Sequence, residues 1–177
     1  MKETLKFILT VAIIVIPIRT FVAQPFIVKG PSMDPAFATG HYLIIDELSY
    51  YFTDPKRGEV IVMKYPKGPK TYFIKRVIGL PGETVTIKDG KVTITQKDST
   101  TFELNDDFVD QKNKISDNSK TTLLDDEYFV MGDNRAESAD SRSWGPLPRD
   151  LVVGRAFLRL LPISQIDLFP GKVTLHP

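Results

Sequence analysis

The chain opens on an almost unbroken apolar run, "LKFILTVAIIVIPIRTFVAQPFI", and then changes character. Between Phe7 and Ile18 only Thr10 and Pro17 interrupt it. The stretch from about Leu5 to Val22 meets the short end of the roughly 17–25 residues that a helix needs to cross a bilayer. The pattern predicts an N-terminal transmembrane anchor over residues 1–23, with Pro17 close enough to the wet interface for its orphaned carbonyls to be tolerated. A cleaved secretory signal would also begin with Lys2 and Lys6 before an apolar stretch, but its cleavage site wants small residues at both the last and third-last positions. Here "FVA" offers Ala23 with Phe21 at the other position. A buried core helix is the remaining alternative. Lys2 and Lys6 favour a cytoplasmic N-terminus, yet Arg19 and Lys29 follow so closely that charge counting alone gives a weak orientation.

After Gly40 the apolar positions come in short β-branched runs separated by turn signals. "HYLIIDEL", "EVIVMKY", "TYFIKRVIGL" and "DLVVGRAFLRLLP" read as strands, and "EYFVM" as a strand entering a turn-rich segment. "TVTIKDGKVTIT" is the clearest hairpin, with period-2 strands flanking an Asp89-Gly90 pair suited to a type I′ turn. This density of strands predicts a mainly antiparallel β domain over residues 24–177. The polar tract from about 96 to 125 reads as an inserted surface subdomain or elaborated loop rather than core.

Composition narrows the chemistry. With 177 residues, 42% of them hydrophobic, the chain suits one domain plus an anchor. A net charge of +1 gives no electrostatic reason to expect nucleic acid. The absence of cysteine removes disulfides, thiolate nucleophiles and cysteine zinc sites together. Phosphate-loop, dinucleotide and HExxH signatures are missing, as is the GxSxG elbow. The two histidines, His41 and His176, open a strand and stand next to the C-terminus, so a Ser-His-Asp triad is a poor fit.

Serine can instead be activated by a neutral lysine. With an unperturbed pKa of roughly 10.4, only about one lysine in 10³ is neutral near pH 7, and burial that lowers the pKa towards 8 raises this to roughly a tenth. Lys75, inside the apolar strand "YFIKRVIGL", has that context, and its neighbour Arg76 faces the other side by strand alternation. Most other lysines lie in turns or polar tracts. Ser32, in "VKGPSMDPAF", is held between prolines that fix backbone dihedrals, so hydroxyl and backbone N–H are both constrained. Taken singly, Lys75 also fits an outward surface lysine, and Ser32 an ordinary loop serine.

Three stretches together resemble the type I signal peptidases, membrane serine proteases of the Ser–Lys dyad kind. "PSMDP" is similar to that family's nucleophile box, "FIKRVIGLPGE" to its lysine box, and "MGDNRAESADSR" to its Gly-Asp-Asn and Ser-x-Asp-Ser-Arg box. The resemblance implies Ser32 as nucleophile, Lys75 as general base and Ser138 as the group that orients Lys75. It implies an oxyanion site at the Ser32 N–H; the second donor is open, because Gly30 stands where some members carry a serine. Asp133, Arg135, Asp140 and Arg142 would form a charged network. Phe26, Val28, Met33, Phe73 and Ile74 would wall shallow pockets for the small residues of an Ala-x-Ala motif in secretory preproteins. The catalytic domain would lie on the outer face of the cell membrane, with signal peptides and lipid as partners and neither metal nor organic cofactor. A self-cleaving repressor-type protease shares the dyad logic but would need a DNA-binding module where this chain is apolar. A membrane-anchored adhesion domain would leave Ser32 incidental.

Overall fold

The computed structural model describes residues 2–17, 24–114, 116–173 and 175, with residues 12–17 described by backbone alone. A helix, α1, runs Lys2–Pro17, and the side chains of its first ten residues are exposed, including Leu5, Phe7, Ile8 and Leu9. Twelve strands follow among the described residues, arranged in an eight-stranded and a four-stranded antiparallel sheet.

The larger sheet contains β1 (Gln24–Ile27), β2 (Tyr42–Asp46), β3 (Val60–Tyr65) and β4 (Gly68–Gly79), together with β9 (Glu127–Met131), β10 (Leu147–Pro148), β11 (Val152–Leu161) and β12 (Asp167–Leu168). Its spatial order is β1-β2-β11-β3-β4-β9-β10, with β12 added to β11. The smaller sheet has the order β7-β6-β5-β8, from β5 (Thr84–Lys88), β6 (Lys91–Thr95), β7 (Thr101–Glu103) and β8 (Ser119–Thr122). The expected hairpin forms β5 and β6, and Asp89 and Gly90 both take positive φ, 49° and 80°, as a type I′ turn requires.

Three apolar clusters hold these layers. Val85, Ile87, Val92 and Ile94, the inward half of the β5–β6 alternation, pack with Ile78, Phe129 and Met131. A second cluster joins Val28, Met33 and Phe37 to Leu43, Ile45 and Val62. A third lies behind β3, β4 and β9 around Ile61, Met63, Val77 and Val130. Alternate residues of a strand go to opposite sides, as in β3, where Val62 joins the second cluster and Ile61 and Met63 the third, and this sets the register.

Two expectations change. The tract at 96–125 is not only surface, because Leu104 and Leu123 enter the first cluster, Val109 is buried, and the tract supplies β7 and β8. Its apolar residues are too widely spaced to show a period. The helix α1 has 16 residues, about 24 Å at 1.5 Å per residue, against roughly 30 Å of hydrocarbon. Among the described residues no helix is long and apolar enough to cross a membrane. The rest of the predicted anchor, residues 18–23, lies outside the described residues.

Candidate active site

The loop after β1 carries Ser32. The Asp34 N–H donates to the Pro31 carbonyl at 3.0 Å, and the Phe37 N–H to the Met33 carbonyl at 2.9 Å, closing two tight turns. These turns drive Met33 and Phe37, both fully buried, into the core and leave the Ser32 side chain at the surface of a cleft. Met33 was expected as a pocket wall; it is instead the floor bolt of the nucleophile loop, because the turn at Ser32 points the next side chain inward.

β4 brings Lys75 to this loop. Its Nζ lies 2.8 Å from Ser32 Oγ, donates to the Ile74 carbonyl at 2.9 Å, and sits over the Phe73 ring, 5.1 Å from its centre. Lys75 is only 3% exposed. Burial pushes its ammonium down from 10.5 to about 8, against the pull of Asp140 and Asp133, which favour the charged form. At that value about a tenth of the amines are neutral at pH 7.

Arg76, the next residue, is buried on the opposite face of β4. Its guanidinium meets Asp133 in a two-pronged pair, Nε to Oδ1 at 2.7 Å and Nη2 to Oδ2 at 2.5 Å, and donates to the Gly58 and Gly171 carbonyls. Both faces of this strand are therefore covered, and the lysine and third boxes are riveted together behind the amine.

The third box follows β9. Gly132 N–H donates to Asp140 Oδ2 at 3.0 Å, and Arg142 grips the same carboxylate with Nε and Nη2, each at 2.8 Å. Burial pushes the Asp140 carboxyl up, but the bonds from Arg142 and Gly132 outweigh it and hold the group below its ordinary value. Asp140 also caps the short helix α2 (Ser141–Trp144), accepting from the Arg142 N–H. The expected network thus divides in two. Asp140 pairs with Arg142, whereas Asp133 pairs with Arg76, and Arg135 joins no carboxylate among the described residues. Arg135 is buried, donates to the Gly132 carbonyl at 3.1 Å, and stacks near the Phe108 ring; burial lowers its pKa.

Ser138 stands close to Ser32, though not as expected. Its buried hydroxyl makes no well-aligned hydrogen bond, although it lies close enough to Asp140 to help hold that carboxyl down, and Lys75 uses the Ile74 carbonyl where a bond to Ser138 was anticipated. A Cβ at Gly132 would overlap both Ser138 Oγ and the Ser32 carbonyl, so the glycine makes room for both. Among the described residues the N–H groups of Ser32 and Gly30 have no acceptor. Gly30 takes φ +88°, a conformation a side chain there would strain.

A cleft of about 410 Å³ leads to the Ser32–Lys75 pair. Phe26, Val28, Phe73 and Ile74 line it as expected, joined by Leu43, Val62, Tyr72 and Ala139. Phe26 on β1 and Tyr72 on β4 meet across it with ring centres 5.5 Å apart. β1 is paired on one edge only, to β2, and β4 is paired to β9 only from Arg76 onward, so unpaired strand edges border the cleft. Leu43 and Val62 were missed because they sit on neighbouring strands, a juxtaposition that period-2 patterning cannot reveal. Asn134, which donates its N–H to the Ser32 carbonyl at 3.1 Å, was missed although it lies inside a recognised motif.

A serine hydroxyl beside a desolvated amine, at the end of an apolar cleft, is the arrangement of a serine hydrolase that uses lysine as its base. The signal peptidase family, peptidase S26, matches residues 1–161. A probable signal peptidase I-2 from a Synechocystis species is 36% identical over 168 residues, covering 92% of this chain and 74% of the relative. Signal peptidase I P of Bacillus subtilis subsp. natto is 33% identical over 174 residues, 93% and 91% of the two chains. Among solved structures, a signal peptidase I from Enterococcus faecalis superposes with a TM-score of 0.50 at 28% identity, covering 58% of this chain and 97% of that one. The chain belongs to the signal peptidase family, peptidase S26, and is a hydrolase of the signal peptidase I type.

Proposed function

We propose that the chain removes signal peptides from secretory preproteins by cutting after small-x-small motifs such as Ala-x-Ala, with Ser32 as nucleophile and Lys75 as general base. The observation that carries the reading is the 2.8 Å approach of Lys75 Nζ to Ser32 Oγ beside the apolar cleft. A neutral Lys75 takes the hydroxyl proton as Ser32 Oγ attacks the scissile carbonyl, then returns it to the leaving amine. It next takes a proton from the water that hydrolyses the acyl-enzyme. The Ser32 N–H holds the developing oxyanion, with the Gly30 N–H as the second donor.

Ser138 acts as the base-orienting group. Its buried hydroxyl, which bonds neither Lys75 nor Ser32 in this structure, would accept a hydrogen bond from a Lys75 N–H. The preprotein binds extended along the unpaired edges of β1 and β4, so main-chain hydrogen bonds give affinity while side-chain volume is read by Phe26, Val28, Phe73 and Ile74. Aromatic and branched walls at close range favour small residues by excluding larger ones.

Membrane attachment belongs to the same reading. Helix α1 carries exposed Leu5, Phe7, Ile8, Leu9 and Val11, which lipid would cover. With residues 1–23 in the bilayer, the domain of residues 24–177 works at the outer surface, where a secreted chain emerges.

The test is cleavage of a preprotein bearing an Ala-x-Ala junction, in lipid or detergent, by wild type, Ser32→Ala and Lys75→Arg. Cutting after the second Ala by wild type alone supports dyad and substrate together. Cutting that survives Ser32→Ala overturns the reading.

A further inference from the structure

Besides Lys75, the cleft is lined by two charged residues, Lys29 and Glu137. Both side chains are exposed, and neither forms an ion pair or side-chain hydrogen bond among the described residues. Glu137 is the less expected of the two, since an acid in a cleft of Phe, Val, Leu and Ile contributes nothing to holding small apolar side chains.

Its backbone position is fixed relative to the nucleophile. The Glu137 N–H donates to both the Asn134 carbonyl and Asn134 Oδ1, each at 3.2 Å, and the Asn134 N–H donates to the Ser32 carbonyl at 3.1 Å. The preceding Ala136 N–H donates to the Asn113 carbonyl at 3.1 Å. The following Ser138 hydroxyl is buried near the Ser32 carbonyl. Glu137 therefore lines the same cleft as Ser32 from a braced turn tied to the Ser32 carbonyl, a place substrate residues flanking the cut would pass.

We infer that Glu137 is a specificity-determining residue: it selects a basic side chain, and disfavours an acidic one, at a substrate position next to the cut. This rests on the peptidase reading above. Small pockets choose the residues that must be buried, whereas an unpaired surface charge discriminates among residues that stay in water, by attraction and like-charge repulsion. Exposure limits the effect to about fivefold to tenfold per substrate charge, the size of one contact near 4 Å in water for each sign. It should shrink as salt rises.

The experiment uses full-length enzyme in detergent and Ala-x-Ala substrates carrying Lys, Gln or Glu at the middle motif position or at either of the first two positions after the cut. Wild type is expected to favour Lys over Glu at one of these positions by about fivefold or more in kcat/KM at low salt. Glu137→Gln is expected to bring that ratio near one, and Glu137→Lys to invert it. Lys29→Gln is expected to retain or sharpen it. A ratio that stays within twofold between wild type and Glu137→Gln at all three positions overturns the inference. So does a preference that vanishes in Lys29→Gln alone. Failure of wild type to cut any of the substrates overturns the peptidase reading, and this inference with it.

Discussion

Asn134 donates its backbone N–H to the carbonyl oxygen of Ser32 at 3.1 Å, tying the loop that carries Ser32 to the loop that carries Ser138. The bond fixes the main chain of Ser32 at its carbonyl and leaves its N–H free. Position at this serine is therefore a property of two distant motifs held in contact, with Gly132 as the spacer between them.

Gly132→Ala should break that spacing. A Cβ there overlaps both Ser138 Oγ and the Ser32 carbonyl, so one loop must shift. A displacement of about 1 Å can cost about 10² in rate. A fall in kcat of that order is expected with protein that still folds by circular dichroism. Wild-type kcat in Gly132→Ala would remove the spacer role.

Activity should rise with pH through an inflection near 8, where Lys75 loses its proton. Asp140 raises the Lys75 pKa through its charge, so Asp140→Asn should move the inflection to lower pH. The same substitution leaves Arg142 with only its longer carboxylate contact, to Asp117 at 3.5 Å, so some loss of stability is expected as well. Because the Asp140 carboxyl is held below its ordinary 3.8, its share of stability is present above that value and is lost as pH falls further. Rate profiles under single-turnover conditions would check the shift, and an inflection moving upward would count against it.

Replacing the amine should stabilise the fold while ending activity. A pKa displaced from 10.5 to about 8 by burial corresponds to roughly 3 kcal/mol of destabilisation below pH 8, at 1.36 kcal/mol per unit. Between pH 8 and 10.5 the unfolded chain binds the extra proton, so this penalty fades as pH rises. Lys75→Met is accordingly expected to be more stable than wild type at pH 7, with the margin shrinking by pH 9.5. Denaturant melts at the two pH values measure it; a Met variant less stable at pH 7 would contradict the account.

Asn113 offers a test of the insert as a brace. Its Nδ2 donates to the Asp34 carbonyl at 3.2 Å and its own carbonyl accepts from Ala136, bridging the loops on either side of the dyad. Asn113→Ala should lower kcat about tenfold or more with little change in KM, since the lost bond positions rather than binds. A fall in melting temperature with kcat intact would make Asn113 a purely structural residue.

Ser138→Ala separates orientation from packing. If the hydroxyl orients Lys75 during turnover, kcat should fall by about 10² while KM moves less. Unchanged turnover would remove Ser138 from the mechanism.

The strands were legible because each rests on local information, whereas Ser32 and Lys75 were brought together only by the joint resemblance of three motifs. Alternation in "TVTIKDGKVTIT" gave a hairpin with its turn, and Lys75 stood out as a charge within an apolar strand. Contacts made by folding were not legible. Met33 and Ser32 are adjacent in sequence yet face opposite ways, because turn geometry, not polarity, decides which enters the core. Asp133 was grouped with its sequence neighbours, but its partner Arg76 comes from another strand. The polar composition of 96–125 hid Leu104, Val109 and Leu123, whose burial depends on a sheet the segment itself completes.

The open edges of β1 and β4 carry a further consequence, one of timing. A strand edge can bond only a backbone whose own N–H and C=O groups are unspent. A cleavage site already drawn into helix or sheet presents none, however well its alanines would fit. Processing would then race the folding of the passenger behind it, and a mature domain that folds early would protect the junction it has just delivered.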